Sequence, residues 1–218
     1  MMLVLTGDTR STALVAELQR LKWGRLFITA TPTPYPGEPW SLDNGAFHAW
    51  LHGKPFPADQ FRYAVDRALG VGTPYLAVAP DIVGGGIASL DFSLGWLEQL
   101  PAEWPWYLAV QDGMTEEDVR PYLSQFAGIF LGGTTRFKST AGMWRVLARQ
   151  HGVKFHYARA GTLARVEHAV AVSADSLDSA LPLWTRERFG EFVGYLTAPG
   201  PKQALLPGAA DHLKGACA

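Results

Sequence analysis

From one end of the chain to the other, short apolar β-forming runs alternate with stretches of helical periodicity, and this alternation leaves few folds open. LVLTG (3–7) precedes a helical pattern near 10–21 in which Leu14, Leu18 and Leu21 share a face. RLFITAT (25–31), SLDNGAF (41–47), YLAVAPD (75–81), WYLAVQD (106–112), GIFLGG (128–133), KFHYAR (154–159) and the segment 172–178 read as further β-runs. Helices are expected between them at 57–69, 89–100, 115–125, 138–151, 162–170 and 185–196. Runs that stay apolar at successive positions suit strands buried on both faces, and eight such strands can close on themselves. The expected fold is therefore one compact (β/α)8 TIM barrel over 1–197, followed by a loosely packed tail rich in Pro, Gly and Ala over 198–218. Segment 32–40 holds Pro32, Pro34, Pro36 and Pro39, which excludes regular helix or central strand, so a loop at the barrel mouth and a candidate lid are expected there.

The 218 residues suit one well-buried core. Lys and Arg total 19 against 20 Asp and Glu, so no overall basic field is available for phosphate, and a nucleic-acid contact would need a local patch. The one cysteine, Cys217, excludes internal disulfides and cysteine-built zinc sites. MMLVLTGD carries no basic residues before its short apolar run, and no stretch approaches the roughly 20 apolar residues of a membrane span. A soluble, cytoplasmic protein with no membrane partner is expected.

Chemistry-bearing side chains cluster at the ends of the β-runs: Asp43, Asp81, Gln111 and Asp178. In a (β/α)8 barrel those ends meet at the C-terminal mouth, where catalytic groups gather. Carboxylates there can act as nucleophile, general acid or base, metal ligand, or hydrogen-bond acceptor for a heterocycle. The six histidines show no ligand spacing beside them, although magnesium would need none. No metal and no cofactor are expected, and the dinucleotide and nucleoside triphosphate motifs are missing from the sequence. Gly84, Gly85 and Gly86 after Asp81, and Gly132 and Gly133 after the sixth run, let backbone approach a flat ligand closely or simply form tight turns. Taken singly, Asp178 could also cap a helix, Asp175 is a rival for its role, Gln111 could cap a turn, and Phe47 could be core.

LDNGAF, APDIVGGG, AVQDG, FLGGTT, and ADSLDSALP following RAGT stand in order across about residues 40–183. In that order and spacing the chain resembles the tRNA-guanine transglycosylase superfamily, whose members exchange guanine in a nucleic acid for a 7-deazaguanine. The resemblance implies that Asp178 is the nucleophile forming a covalent glycosyl-enzyme and that Asp43 handles the base proton. It implies that Asp81 and Gln111 read the pyrimidine edge of the base, that Gly132, Gly133 and Thr134 present backbone to it, and that Phe47 stacks on it. Tyr157 is the expected partner across the base, adjoining Ala158, where relatives often carry a larger side chain.

The chain departs from that pattern in two ways. It lacks the Cys-x-Cys-x2-Cys…His zinc subdomain of bacterial and eukaryotic tRNA enzymes and leaves no length for the C-terminal RNA-binding domains of archaeal ones. It therefore looks most like the branch of phages and DNA-modification clusters that acts on DNA, with tRNA as the alternative acceptor, and host cytoplasm as the site of action if phage-encoded. Arg136, Lys138 and Arg159 are the expected nucleic-acid contacts, drawn from cations that also include Lys54, Arg145, Arg149, Lys154 and Arg165. Relatives that take the aminomethyl base place a Glu soon after the glycine loop, whereas this chain reads GGTTRFK, so the free 7-cyano-7-deazaguanine base is expected. An inactive barrel that binds deazaguanine or nucleic acid as a partner subunit, or a homodimer, stays open.

Overall fold

A computed structural model describes residues 2–197, and the tail expected over 198–218 lies outside the described residues. The strands are β1 (Leu3–Gly7), β2 (Gly24–Ile28), β3 (Ser41–Asp43), β4 (Leu76–Val78), β5 (Trp106–Val110), β6 (Gly128–Leu131), β7 (Lys154–Tyr157) and β8 (Ser176–Ser179). All pair in parallel in sequence order, and β8 returns to β1 with Leu3 opposite Ser176 and Leu5 opposite Asp178. The sheet is a closed eight-stranded barrel, as the eight apolar runs require.

The helices are α1 (Thr12–Leu21), α2 (Ala46–Leu51), α3 (Ala58–Leu69), α4 (Ile87–Trp96), α5 (Glu116–Val119), α6 (Thr135–Lys138), α7 (Ala141–Gln150), α8 (Leu163–Ala171), α9 (Leu181–Trp184) and α10 (Arg186–Thr197). Each larger expected helix is present, several split or extended by a short turn. The last strand begins four residues later than the start of the expected 172–178 run, because Val172 to Ala174 close the turn after α8.

Side-chain alternation divides the strand residues into two cores. Leu5, Leu26, Leu76, Val78, Tyr107, Ala109, Phe130 and Ala158 fill the barrel interior. Their neighbours one residue along, among them Leu42, Leu108, Val110, Ile129, Leu131, Phe155, Tyr157 and Leu177, face the helices. Tyr107 takes so much of the interior that a Cβ on Gly128 would lie 2.4 Å from its ring, so glycine is required by space at that strand position.

The proline-rich segment is not a lid. No helix covers the β2–β3 connection, and this segment lies along the barrel flank in its place. Arg25, facing outward from β2, donates to both Glu38 oxygens at 2.8 Å and to the Thr33 carbonyl at 2.7 Å. Glu38 also accepts from the Tyr35 amide at 2.8 Å, and the Tyr35 hydroxyl donates to the Trp23 carbonyl at the start of β2. Buried charges demand partners of this kind, and these partners tie the loop down away from the mouth.

Candidate active site

Strand alternation sends Asp43 inward from β3 and Asp178 inward from β8, while Gln111 follows the last interior position of β5. Asp81 lies three residues past β4. At this C-terminal mouth a cavity of about 380 Å³ is lined by Asp43, Asp81, Gln111, Gly132, Gly133 and Thr134, with Phe47, Trp50 and Arg159 forming its walls. That volume falls in the range of small-molecule sites. Asp178 is not itself among the lining residues, but it adjoins them: the Arg159 amide donates to its Oδ1 at 2.9 Å while the Arg159 side chain lines the cavity.

His156 holds the same oxygen of Asp178 from the interior face of β7, its Nε2 donating at 2.9 Å. No other donor among the described residues reaches Oδ2, which leaves one carboxylate oxygen anchored and the other open. Burial would raise the Asp178 carboxyl, but the His156 hydrogen bond and charge, the Arg159 amide and the Lys138 ammonium together hold it below its usual range. Asp43 behaves oppositely: burial pushes it up to about 6 against the hydrogen bond from the Gly45 amide, and the charges of Asp178 and Asp81 add to the rise. Asp81 is likewise raised to about 6 by burial, opposed by the Asn44 hydrogen bond, the Arg159 charge and the Gln111 hydrogen bond. Two inward carboxylates whose environments drive their proton affinities apart form an arrangement suited to a nucleophile and an acid–base partner.

The ligand-facing residues show which groups remain free. Asn44 donates to Asp81 at 2.8 Å and to the Ala79 carbonyl at 2.7 Å. The Gln111 amide nitrogen faces Ser89 Oγ at 2.8 Å, the Ile82 carbonyl at 2.9 Å and Asp81 at 3.2 Å, and its oxygen accepts from the Gly84 amide at 2.7 Å. Gln111 thus holds Asp81 and the glycine loop in place, with no N–H left over to read a ligand carbonyl. Thr134 is held in the same way, its amide and hydroxyl both donating to Asp112 at 2.7 and 2.6 Å. Gly133 adopts φ +74°, and a Cβ there would meet Asp112 and Phe137 at 2.7 and 2.8 Å, so only glycine fits.

Gln111 and Thr134 therefore do not present the free donors expected of them, and two further expected contacts are corrected. Tyr157 is buried on the outer face of β7, with its hydroxyl toward His168 on α8 at 3.4 Å, so it cannot close a slot at the mouth. Alternation assigns the inward positions to its neighbours His156 and Ala158. Lys138 is 2 % exposed, its ammonium donating to the Leu131 and Ala158 carbonyls and lying over the Tyr157 ring, so it cannot reach a phosphate. Burial lowers its pKa to about 7. Arg136 is exposed as expected, whereas Arg159 sits inside the cavity with its guanidinium carbon 3.8 Å from the centre of the Phe47 ring. Asp175 lies at the opposite end of β8, bonded to Arg145 and the Phe155 amide at 2.9 and 2.8 Å, far from the position a nucleophile would need. His156, Asn44, Trp50 and Asp112 escaped the sequence reading. Alternation in KFHYAR sets His156 and Tyr157 on opposite faces, but nothing in that run says which of the two turns inward.

Fold and site together define a (β/α)8 barrel with a carboxylate-bearing cavity at its C-terminal mouth. Comparison with protein-family models finds no match, and comparison with curated proteins finds none. Among solved structures, an HpcH/HpaI aldolase from Desulfitobacterium hafniense DCB-2 superposes with a TM-score of 0.54 at 12% identity, over 91% of this chain and 94% of that one. At that identity the likeness is one of fold. Among the described residues no group of three or more His, Cys, Asp or Glu is placed to hold a metal ion, and no helix is long and apolar enough to cross a membrane.

Proposed function

We propose that the chain is a base-exchange transglycosylase that replaces guanine in DNA by 7-cyano-7-deazaguanine. The observation that carries this reading is the asymmetric Asp178 carboxylate, ionised and clamped through Oδ1 with Oδ2 open, beside an Asp43 poised near 6. In the first half-reaction Asp178 Oδ2 bonds to the anomeric carbon as the bond to the guanine nitrogen breaks, and Asp43 gives its proton to the departing base. Negative charge thereby passes from Asp178 to Asp43. In the second half the incoming base gives its proton back to Asp43 and attacks the same carbon, which releases Asp178. No external energy source is required.

Asp81, held by Asn44 and Gln111, supplies an acceptor for the N–H groups of a purine-like edge, and the Phe47 ring supplies a flat apolar wall. A heterocycle stacked on Phe47 takes the place of the Arg159 guanidinium, whose displacement toward the rim would put a cation near the sugar-phosphate backbone. Exposed Arg136 stands on the same side. Incubation with labelled guanine and either duplex DNA or a tRNA pool is expected to put label into DNA. Label entering tRNA alone would reassign the acceptor, and label entering neither would sink the reading.

A further inference from the structure

We propose that His156 is the positioning residue of this site: it clamps one oxygen of Asp178 so that the other faces the sugar, and Ser176 fixes the imidazole that does so. The inference rests on the transglycosylase reading for its consequence in turnover, but the clamp itself is read from geometry alone.

His156 is fully buried in the barrel interior, and its ring lies flat on Phe130 with centroids 4.7 Å apart and planes 8° from parallel. Stacking fixes the plane of the ring, and two hydrogen bonds fix its rotation: Nε2 to Asp178 Oδ1 at 2.9 Å and Nδ1 to Ser176 Oγ at 2.8 Å. Ser176 is His156's cross-strand partner, and Asp178 lies two residues further along the same interior face of β8. The parallel register of β7 and β8 therefore sets the imidazole between them. A carboxylate can only accept, so Nε2 carries a hydrogen, and Ser176 is left to satisfy Nδ1. Hydrogen bonds thus link Ser176 through His156 to Asp178.

In the reaction Asp178 loses its charge when Oδ2 joins the sugar and regains it when the new base arrives. A donor locked onto Oδ1 serves both states. It supports the anion before attack, then hydrogen-bonds the ester carbonyl without having to move. Without it the carboxylate could rotate, and it would take up a proton more readily. The other charged groups facing Asp178 are Lys138 from α6, Arg159 after β7, and Asp43 from β3. All three persist when His156 is replaced, so a change on its removal reports the clamp.

The test is a carboxyl NMR titration of Asp178 in the full chain, read beside the pH profile of base exchange, for the wild type and for His156→Phe, His156→Gln and Ser176→Ala. His156→Phe keeps a flat ring against Phe130 but removes the donor. It is expected to raise the proton affinity of Asp178 at least tenfold and to move the acid limb of exchange up by the same amount. Ser176→Ala is expected to move both in the same direction by less, and His156→Gln, which keeps an N–H near the Nε2 position, to restore most of the wild-type behaviour. If His156→Phe does not fold, the other two variants carry the comparison. An Asp178 titration unchanged in every folded variant would overturn the clamp. Absence of base exchange in the wild type would overturn the transglycosylase reading instead, leaving the titration to decide the clamp on its own.

Discussion

At the scale of single residues, the site gives similar carboxylic acids different surroundings. Asp178 has two donors on one oxygen and an ammonium behind it, whereas Asp43 has one backbone amide and two anionic neighbours. The signs of the resulting linkage are opposite. Asp43 is held at about 6, above its value in an unfolded chain, so its contribution to stability is fully present below about pH 4 and is lost as pH rises through about 6. Asp178 is held low, so its contribution is present at neutral pH and is lost on acidification. Asp43→Asn keeps an oxygen for the Gly45 amide and removes the charge. It is expected to raise stability relative to the wild type at pH 7.5, on the order of 1 kcal/mol after allowance for partial exposure, and to have no such effect at pH 4. Base exchange should fall by roughly a hundredfold or more in the same variant. Thermal melts at the two pH values together with an exchange assay check both parts, and a variant less stable at pH 7.5 would show that Asp43 is not held high. Asp43, Asp81 and Gln111 share a strand-end position that apolar runs reveal, and all three line the cavity. Their partners Asn44 and His156 could not be singled out in the same way, because a hydrogen bond between residues far apart in sequence leaves no local pattern.

At the scale of elements, period-two alternation decides what each strand offers to the mouth. It gives β7 an inward His156 and an outward Tyr157, and it gives β5 an inward Tyr107 that fills the space against Gly128. Gly128→Ala would press a methyl into an aromatic ring that has no room to retreat. A loss of about 1–3 kcal/mol is expected by urea denaturation, and an unchanged midpoint would show that the barrel interior is looser than its contacts imply. Strand existence was legible because eight apolar runs are long enough to carry a pattern. The inward or outward sense of a four-residue strand was not, since shifting the phase by one residue exchanges the faces. The same blindness applied to Lys138. As the last residue of the short α6, it reads from sequence like any surface cation, and only packing against β6 and β7 shows it buried. Prolines correctly marked 32–40 as irregular, but nothing in their spacing indicated that Arg25 and Glu38 would fasten that segment to the flank.

At the scale of the whole molecule, closure of the parallel sheet brings residues from positions 43 to 178 around one opening, and the proposed chemistry depends on that convergence. The fold could be read from sequence because alternation of strands and helices is distributed over the entire chain. The charge balance is silent about any polymer partner, because a net charge of −1 carries no field to announce one. The most direct measurement is peptide mapping by mass spectrometry of protein incubated with guanine-containing DNA and quenched in acid. A sugar-linked adduct on the peptide that contains Asp178, missing from Asp178→Asn, is the expected result. Base exchange at the wild-type rate by Asp178→Asn, or an adduct on any other side chain, would contradict the assignment.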